Sequence, residues 1–156
     1  PAHEQRWQVL QRFAYPLGTT ADGDEPAWFA SFELNPGERL RPTLEVRIVS
    51  FGSARTLYQD RKPLCRSLDG IAPSAPQGQR RCADCALRPR CTAQVRLDLL
   101  VDTQPYRLLL AHTSAKNFLL YETRLRQRGG ALEEGLHRIT VINRGSWGEL
   151  RFEQHP

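Results

Sequence analysis

The stretch VRLDLLVDTQPYRLLLAHTSAKNFLLYETRLRQRGG, residues 95–130, determines the fold class of this chain. Its first half predicts a β-hairpin. Residues 95–101 begin as an alternation of apolar and polar side chains, residues 102–105 supply a turn, and residues 106–111 return as the partner strand.

The second half of the same stretch predicts one α-helix. Phe118, Tyr121 or Glu122, and Leu125 recur at helical spacing, so one apolar stripe faces the sheet. Either Thr113 or Ser114 can cap the start of this helix. The pair of glycines at residues 129–130 ends it.

Strand patterns lie on both sides of this unit. Residues 43–49 alternate, with Leu44, Val46 and Ile48 on one face. A turn at Gly52 and Ser53 and a short strand at residues 54–58 follow. Residues 136–142 and 149–152 predict a second hairpin, joined by a turn at residues 143–146.

This order predicts a mainly β (α+β) chain. We expect a five-stranded OB-like barrel with the helix between the third and fourth strands, and a four-cysteine metal-binding loop inserted before the third strand. A half-open β-sandwich and another α+β sheet with one helix are the alternatives. We expect one domain over residues 1–156, with an OB-like core at 41–156 that contains the metal loop at 61–94.

Residues 1–40 form an N-terminal extension whose structure the sequence specifies poorly. Helical spacing of apolar residues predicts a short helix between Trp7 and Leu17. Trp28, Phe29 and Phe32 then form an aromatic patch, which is interpreted either as part of the core or as a docking surface for a protein partner.

The four cysteines of the chain all lie within 27 residues and follow the pattern C-x16-C-x2-C-x5-C. They are Cys65, Cys82, Cys85 and Cys91. A C-x-x-C turn brings two thiolates within reach of one ion, and two more cysteines complete the tetrahedral sulfur shell that zinc prefers. The glycines and prolines between them disfavour helix and strand, so a structural zinc would hold this loop together.

Three other interpretations of the cysteines remain. An iron–sulfur cluster is also held by four cysteines, and the C-x2-C-x5-C spacing is similar to that of the iron–sulfur nuclease domains. The carboxylates and lysine that those nucleases need are not found here. Disulfides are disfavoured because the sequence shows no secretory apolar segment. Four free thiols would need no such spacing.

Positive charge is concentrated in the same region. The chain has a net charge of +5, and residues 61–96 contain eight Lys or Arg against two Asp, so the remainder is nearly neutral. A basic, metal-held loop is typical of a surface that contacts phosphates. Arginine outnumbers lysine 20 to 2 throughout the chain, so arginine content alone carries little weight.

A resemblance rests on residues 63–70, Pro-Leu-Cys-Arg-Ser-Leu-Asp-Gly, followed by Cys82-Ala83-Asp84-Cys85. This segment resembles the cysteine-rich insert of OB-fold single-stranded-DNA-binding proteins encoded by phages and mobile elements. The resemblance covers about residues 44–153 and implies nucleic-acid binding with zinc as a staple. One departure is Ala86, where such C-x-x-C motifs often have proline.

The function expected is therefore non-enzymatic binding of single-stranded DNA or RNA, in replication, recombination or a mobile element. Basic residues would contact phosphates, and strand or hairpin aromatics would stack on bases. The candidate nucleic-acid-binding residues are Arg55, Tyr58, Arg61, Lys62, Arg66, Arg80, Arg81, Arg88, Arg90, Tyr106 and Trp147.

The sequence offers little for catalysis. His112 and His137 lie at strand ends without a neighbouring nucleophile motif, and Asp98 and Asp102 share a face without a third ligand. Four thiolates around zinc would leave no coordination position for water, so the zinc would be structural.

Two further functions remain as alternatives. A zinc-stapled interaction module of a nucleic-acid-processing complex would dock through the aromatic patch at Trp28, Phe29 and Phe32, and homo-oligomerisation through an edge strand would use the same surface. An iron–sulfur accessory domain is the third. No apolar run approaches the ~20 residues of a membrane span, and we expect a cytoplasmic location.

Overall fold

The computed structural model describes residues 8–9, 11–17, 27–33, 43–60, 62–73, 81–144 and 148–156, and only the backbone of residues 8–33 and 143 among them. The strands are β1 (Gln8–Val9), β2 (Gln11–Leu17), β3 (Ala27–Glu33), β4 (Thr43–Gln59), β5 (Lys62–Ser67), β6 (Thr92–Val101), β7 (Gln104–Ala111), β8 (His137–Asn143) and β9 (Gly148–Gln154). The α-helix α1 is His112–Gln127, and two 3-10 turns span Cys82–Asp84 and Arg88–Arg90.

Seven strands form one sheet. Its order is β1-β7-β6-β4-β8-β9, and β5 pairs with β4 beside this path. The six strands from β4 to β9 pair antiparallel, whereas β1 joins β7 in parallel. Strands β2 and β3 form a separate hairpin. The prediction of a mainly β chain with one helix is confirmed for the described residues.

Strand β4 is one continuous strand of 17 residues. The prediction of two short strands with a turn at Gly52 and Ser53 is therefore wrong. Gly52 lies inside the strand, opposite Arg96 of β6. Because Gly52 has no side chain, the Arg96 guanidinium can cross β4 there. The strand bends where its register with β6 shifts, between Ile48 and Ser50.

The cysteine region is more regular than the sequence predicts. Part of the expected loop at residues 61–94 forms β5, which pairs with the end of β4, and β6 already begins at Thr92. Cys65 lies inside β5, opposite Leu57. The other three cysteines follow in the connection from β5 to β6. Pro63 is compatible with β5 because this strand pairs on one side only in the described sheet.

The prediction of a short helix between Trp7 and Leu17 is wrong. Backbone pairing places β2 against β3 along all seven residues, including Tyr15 opposite Phe29. The alternation of Phe13, Tyr15 and Leu17 has the strand period, and it decides the structure here over the helical spacing.

The β6–β7 hairpin is confirmed. Its two-residue turn, Asp102 and Thr103, has φ values of 49° and 68°, the left-handed conformations of a type I′ turn. The predicted end of α1 is also confirmed. Gly129 has a φ of 81°, and the Gly130 N–H donates to the carbonyl of Leu125 at 3.0 Å, which is a Schellman motif.

The start of α1 differs from the prediction. Ala111 is the N-cap residue and offers no side-chain bond, and the helix begins at His112. Ser114 has another role, because its Oγ accepts the N–H of Leu150 in β9 at 3.0 Å. Asn117 Nδ2 donates to the carbonyl of the same residue at 2.9 Å. The helix therefore covers the outer edge of β9 at Leu150.

The described sheet is open. The expected closed five-stranded barrel is not found in the described part of the chain, where β1 and β9 end the sheet. The helix covers the outer edge of β9 at Leu150. Counted from residue 43, α1 follows the fourth strand rather than the third, because β5 adds a strand.

The hydrophobic core lies between one face of the sheet and α1. Phe118 of the helix is fully buried and makes edge-to-face contacts with Phe51 and Phe152, at ring-centroid distances of 5.2 and 5.3 Å. The sheet side chains in this core cluster are Leu44, Val46, Ile48, Leu97, Leu99, Val101, Tyr106, Leu108, Leu110, Ile139, Val141 and Leu150. Their strand neighbours point to the opposite face, which is polar along β6.

Candidate metal centre and basic sheet face

A tight turn after β5 is built around Asp69. Its Oδ1 accepts hydrogen bonds from the N–H of Ile71 at 2.7 Å, the N–H of Ala72 at 3.0 Å and Ser67 Oγ at 3.0 Å. The bonds from Ala72, Ile71 and Ser67 lower the pKa of this carboxyl below its usual value. Gly70 completes the turn with a φ of 75°, which favours glycine.

This turn positions the second cysteine. The carbonyl of Ile71 accepts the N–H of Cys82 at 2.7 Å, so the backbone at Cys82 lies against the turn that follows β5. Asp69 holds Ile71 in place, and Ile71 holds the backbone of Cys82. The Ser-x-Asp-Gly element at residues 67–70 thus has a structural role in bringing Cys82 near the end of β5.

Two 3-10 turns present the remaining cysteines. The N–H of Cys85 donates to the carbonyl of Cys82 at 3.3 Å, and the N–H of Cys91 donates to the carbonyl of Arg88 at 3.0 Å. Each turn therefore ends on a cysteine. Cys91 lies directly before Thr92, which pairs with Thr56 of β4, while Cys65 pairs with the next residue of β4, Leu57. The sheet register brings Cys65 and Cys91 to the same level on opposite sides of β4.

The four thiols are free, and three of them lie within electrostatic range of the fourth, Cys91. None is disulfide-bonded; Cys65 is exposed and the other three are half-buried. Burial raises the pKa of the Cys91 thiol most, and nearby Cys85, Cys65 and Cys82 raise it further, while Arg55 opposes them. Within the described ranges, however, no three Cys, His, Asp or Glu side chains are arranged as a metal-ligand group. The donor set suits zinc chemically, but its geometry is not that of a formed site.

The basic residues predicted to contact phosphates occupy three kinds of position. Arg55 and Arg66 are half-buried on β4 and β5. The exposed members of this basic set are Lys62, Arg81, Arg88 and Arg90. Arg61, Arg80 and Trp147 lie outside the described residues.

The two predicted strand tyrosines differ sharply. Tyr58 is 40% exposed at the end of β4, whereas Tyr106 is 5% exposed and belongs to the hydrophobic core. The ring of Tyr106 thus has no face free for a base in this structure. Tyr106 shares the core face of β7 with Leu108 and Leu110, which is the side its strand alternation assigns to it.

A hydrogen-bond network fixes Tyr58 on the polar face of the sheet. Arg66 Nε donates to Thr56 Oγ1 at 3.3 Å, and Thr56 Oγ1 donates to Gln94 Oε1 at 2.6 Å. Gln94 Nε2 then donates to the hydroxyl of Tyr58 at 3.3 Å. Because Thr56 and Gln94 are buried, these bonds hold an arginine and an exposed aromatic ring at fixed positions on one surface.

A second charged cluster lies on the same face, and its residues are not among the predicted nucleic-acid-binding residues. Asp98 accepts from Arg107 Nε at 2.9 Å through Oδ1 and from Ser50 Oγ at 3.0 Å through Oδ2. Arg96 Nε lies 3.1 Å from Oδ2, and Arg96 Nη1 donates to the carbonyl of Leu68. Two arginines thus surround one carboxylate and leave an excess of positive charge.

The cross-strand register reveals this cluster. Asp98 is opposite Arg107, and its neighbour two residues earlier is Arg96. The alternation of polar residues along β6 was the available signal, but the partner strand had to be known. Asp102, expected on the same face as Asp98, lies in the hairpin turn instead.

Two of the three histidines that the structure describes, His137 and His155, have structural partners. His137 is fully buried, with its Nε2 donating to the carbonyl of Leu132 at 2.7 Å and its Nδ1 accepting from Tyr121. Burial raises the pKa of Tyr121 to about 12. His155 contacts Glu45 Oε1 at 2.7 Å through its Nε2. His137 and Tyr121 thereby tie α1 to β8.

The aromatic patch at Trp28, Phe29 and Phe32 lies on β3, whose backbone pairs with β2. The side chains of this patch are outside the described residues, so its role as a docking surface stays a prediction. In the part of the chain that the structure describes, no helix is long and apolar enough to cross a membrane.

Comparison with known proteins gives no match: no protein-family model, no curated protein and no solved structure is significantly similar to this chain. The functional inference therefore rests on the residues and their geometry.

Proposed function

We propose that this protein binds single-stranded nucleic acid on the polar face of β4, β6 and β7, with the cysteine segment as a basic, metal-held flank. The observation that carries the proposal is the exposed ring of Tyr58, held by Gln94 on the same face as Arg66. An aromatic platform beside guanidinium groups is the arrangement that binds single strands without strong sequence preference.

The sheet order supports an OB-type architecture. When β5 is counted with the cysteine insert, the remaining five strands have the order β7-β6-β4-β8-β9, and α1 joins the third of them to the fourth. The long first strand β4 pairs with β6 along one part and with β8 along another. OB-folds are partly open five-stranded barrels of this kind.

The same architecture supports the location of the site. OB-folds bind oligonucleotides on strands 2 and 3 and on the loops after strands 1 and 4. Here those strands are β6 and β7, which contain Arg96 and Arg107. The first loop is the cysteine segment with Arg81, Arg88 and Arg90, and the second joins β8 to β9 and contains Trp147.

The cysteines would hold one structural zinc ion. Their free thiols, the ends of both 3-10 turns and the electrostatic proximity of Cys91 to the other three support this proposal. A tetrathiolate zinc site would tie β5 to the start of β6 and fix Arg88 and Arg90 between two ligands. An iron–sulfur cluster is the alternative occupant, and visible absorption would distinguish it.

Binding would occur in two parts. Guanidinium groups would neutralise phosphates and release counterions, which makes the affinity fall steeply with salt. One base would stack on Tyr58, which contributes about 1–3 kcal/mol. A four-thiolate zinc would leave no open coordination position, so the protein would bind rather than cleave its ligand.

The test is a fluorescence-anisotropy titration of a labelled single-stranded oligonucleotide at several salt concentrations. We expect the double variant Arg88→Gln, Arg90→Gln to bind more weakly and to show a shallower salt dependence. Arg124→Gln, Arg128→Gln is the matched control, because it removes the same charge from α1 and should bind like the unchanged protein. Equal loss in both variants would show that net charge alone governs binding and would contradict the assigned surface.

A further inference from the structure

A groove of about 430 Å³ lies between α1 and β9, away from the cysteine segment. The helix contributes Leu120, Tyr121 and Arg124 to its wall, its C-cap residue is Arg128, and β9 contributes Glu149 and the stretch from Arg151 to Gln154. Leu120 is 49% exposed and adds apolar surface to the wall of the groove. The groove therefore combines apolar surface with three arginines and two glutamates.

The groove follows the edge of β9 that no described strand pairs with. Among the strands described, β9 pairs only with β8. At Leu150 the helix supplies partners for the outward N–H and C=O groups, through Ser114 and Asn117. The strand alternation directs the same backbone groups of Phe152 and Gln154 outward as well, on the side of the groove. These two residues present the pattern that an added strand recognises.

The charge of the groove is positive after its internal pairs are counted. Glu149 is bonded to Arg144 at 2.7 Å, and Glu153 lies 3.4 Å from Arg138. The guanidinium groups of Arg124 and Arg128 take part in no ion pair within the part of the chain that the structure describes. They lie one helical turn apart on the same side of α1, so they would face one extended ligand together.

We propose that this groove binds an extended acidic segment of a partner protein, which adds to β9 as a further strand. Its backbone pairs with Phe152 and Gln154, its apolar side chains contact Leu120, and its carboxylates pair with Arg124 and Arg128. A nucleic acid fits less well, because its backbone cannot pair with the edge of β9 and continue the sheet. This surface is separate from the nucleic-acid face, so each can be tested alone.

The probe is a fluorescein-labelled peptide in which glutamate alternates with valine, and the matched peptide has glutamine in place of every glutamate. We expect the acidic peptide to bind about tenfold or more tightly than its neutral counterpart, because two charge-assisted pairs are lost. The variant Arg124→Gln, Arg128→Gln should abolish this preference. Arg88→Gln, Arg90→Gln, which removes the same charge elsewhere, should retain it.

Amide hydrogen exchange provides the second readout. On addition of the acidic peptide, we expect the amides of Phe152 and Gln154 to gain protection, while those of the cysteine segment do not change. Equal binding of both peptides would overturn the proposal, and so would protection that appears elsewhere. An oligonucleotide that displaces the peptide and loses affinity in the Arg124→Gln, Arg128→Gln variant would assign the groove to nucleic acid instead.

Discussion

The guanidinium of Arg96 lies across Gly52, so close that a Cβ added to this glycine would be 2.9 Å from Arg96 Nη2. Passing over the bare backbone of β4, Arg96 reaches the carbonyl of Leu68 at the end of β5. One side chain on β6 is thereby connected to the segment that leads into the cysteines. The missing side chain of Gly52 is what makes this connection possible.

Replacement of Gly52 by alanine should therefore destabilise the protein. We expect a loss of about 1–2 kcal/mol in the free energy of unfolding, measured by urea denaturation, because the Arg96 guanidinium must move away from Leu68. In the background of Arg96→Ala the same substitution should cost nothing, since the clash is then absent. A cost that persists without the Arg96 side chain would contradict this account of Gly52.

The Asp69 turn gives a prediction about the metal. Asp69→Ala removes the acceptor of three hydrogen bonds, so Ile71 no longer holds the backbone of Cys82. We expect zinc affinity, measured by competition with a chromogenic chelator, to fall several-fold. Asp69→Asn retains an acceptor oxygen and should lose much less. Equal zinc affinity in all three proteins would exclude a role of this turn in metal binding.

The two tyrosine variants at residue 58 separate stacking from hydrogen bonding. Tyr58→Ala removes the exposed ring, and we expect its affinity for single-stranded DNA to fall about tenfold or more, the equivalent of one stacked base. Tyr58→Phe keeps the ring and loses only the contact with Gln94. It should bind nearly as well as the unchanged protein. Anisotropy titrations of both variants at one salt concentration suffice, and an unaltered affinity of Tyr58→Ala would remove this ring from the site.

How far the sequence predicts this structure depends on whether a pattern is local. The β6–β7 hairpin and the end of α1 are predicted because alternation and two glycines act within a few residues. The sequence predicts a turn at Gly52 because the contact that requires glycine there is made by the side chain of Arg96, which belongs to another strand. The burial of Tyr106 was predictable from its alternation with Leu108 and Leu110.

The same distinction between local and long-range patterns applies to the candidate site. The exposed arginines of the cysteine segment follow from its composition, which needs no knowledge of pairing. Arg107 and Asp98 meet only through the register of β6 with β7, so no single-strand pattern identifies their contact. The predicted capping role of Ser114 is wrong because its hydroxyl instead bonds to Leu150, which is 36 residues away and on another strand.

The ionisation of Glu149 makes the free energy of unfolding depend on pH. Its hydrogen bond with Arg144 is the main cause that lowers its pKa from 4.5, so the folded state binds this proton less tightly than the unfolded state. The stabilisation is therefore present above pH 4.5 and is lost as the pH falls through the lower, folded-state pKa. We expect Glu149→Gln to flatten the decline of the unfolding free energy below pH 4.5, as followed by chemical denaturation at several pH values. An unchanged slope would mean that other carboxyl groups cause the decline.

The central claim is that the polar sheet face and the cysteine segment bind single-stranded nucleic acid. Its most direct measurement is an anisotropy titration of the metal-loaded protein with single- and double-stranded oligonucleotides of mixed sequence, at low and moderate salt. The account predicts tighter binding of the single strand and a steep loss of affinity with salt. Absence of binding to either oligonucleotide at low salt would contradict it.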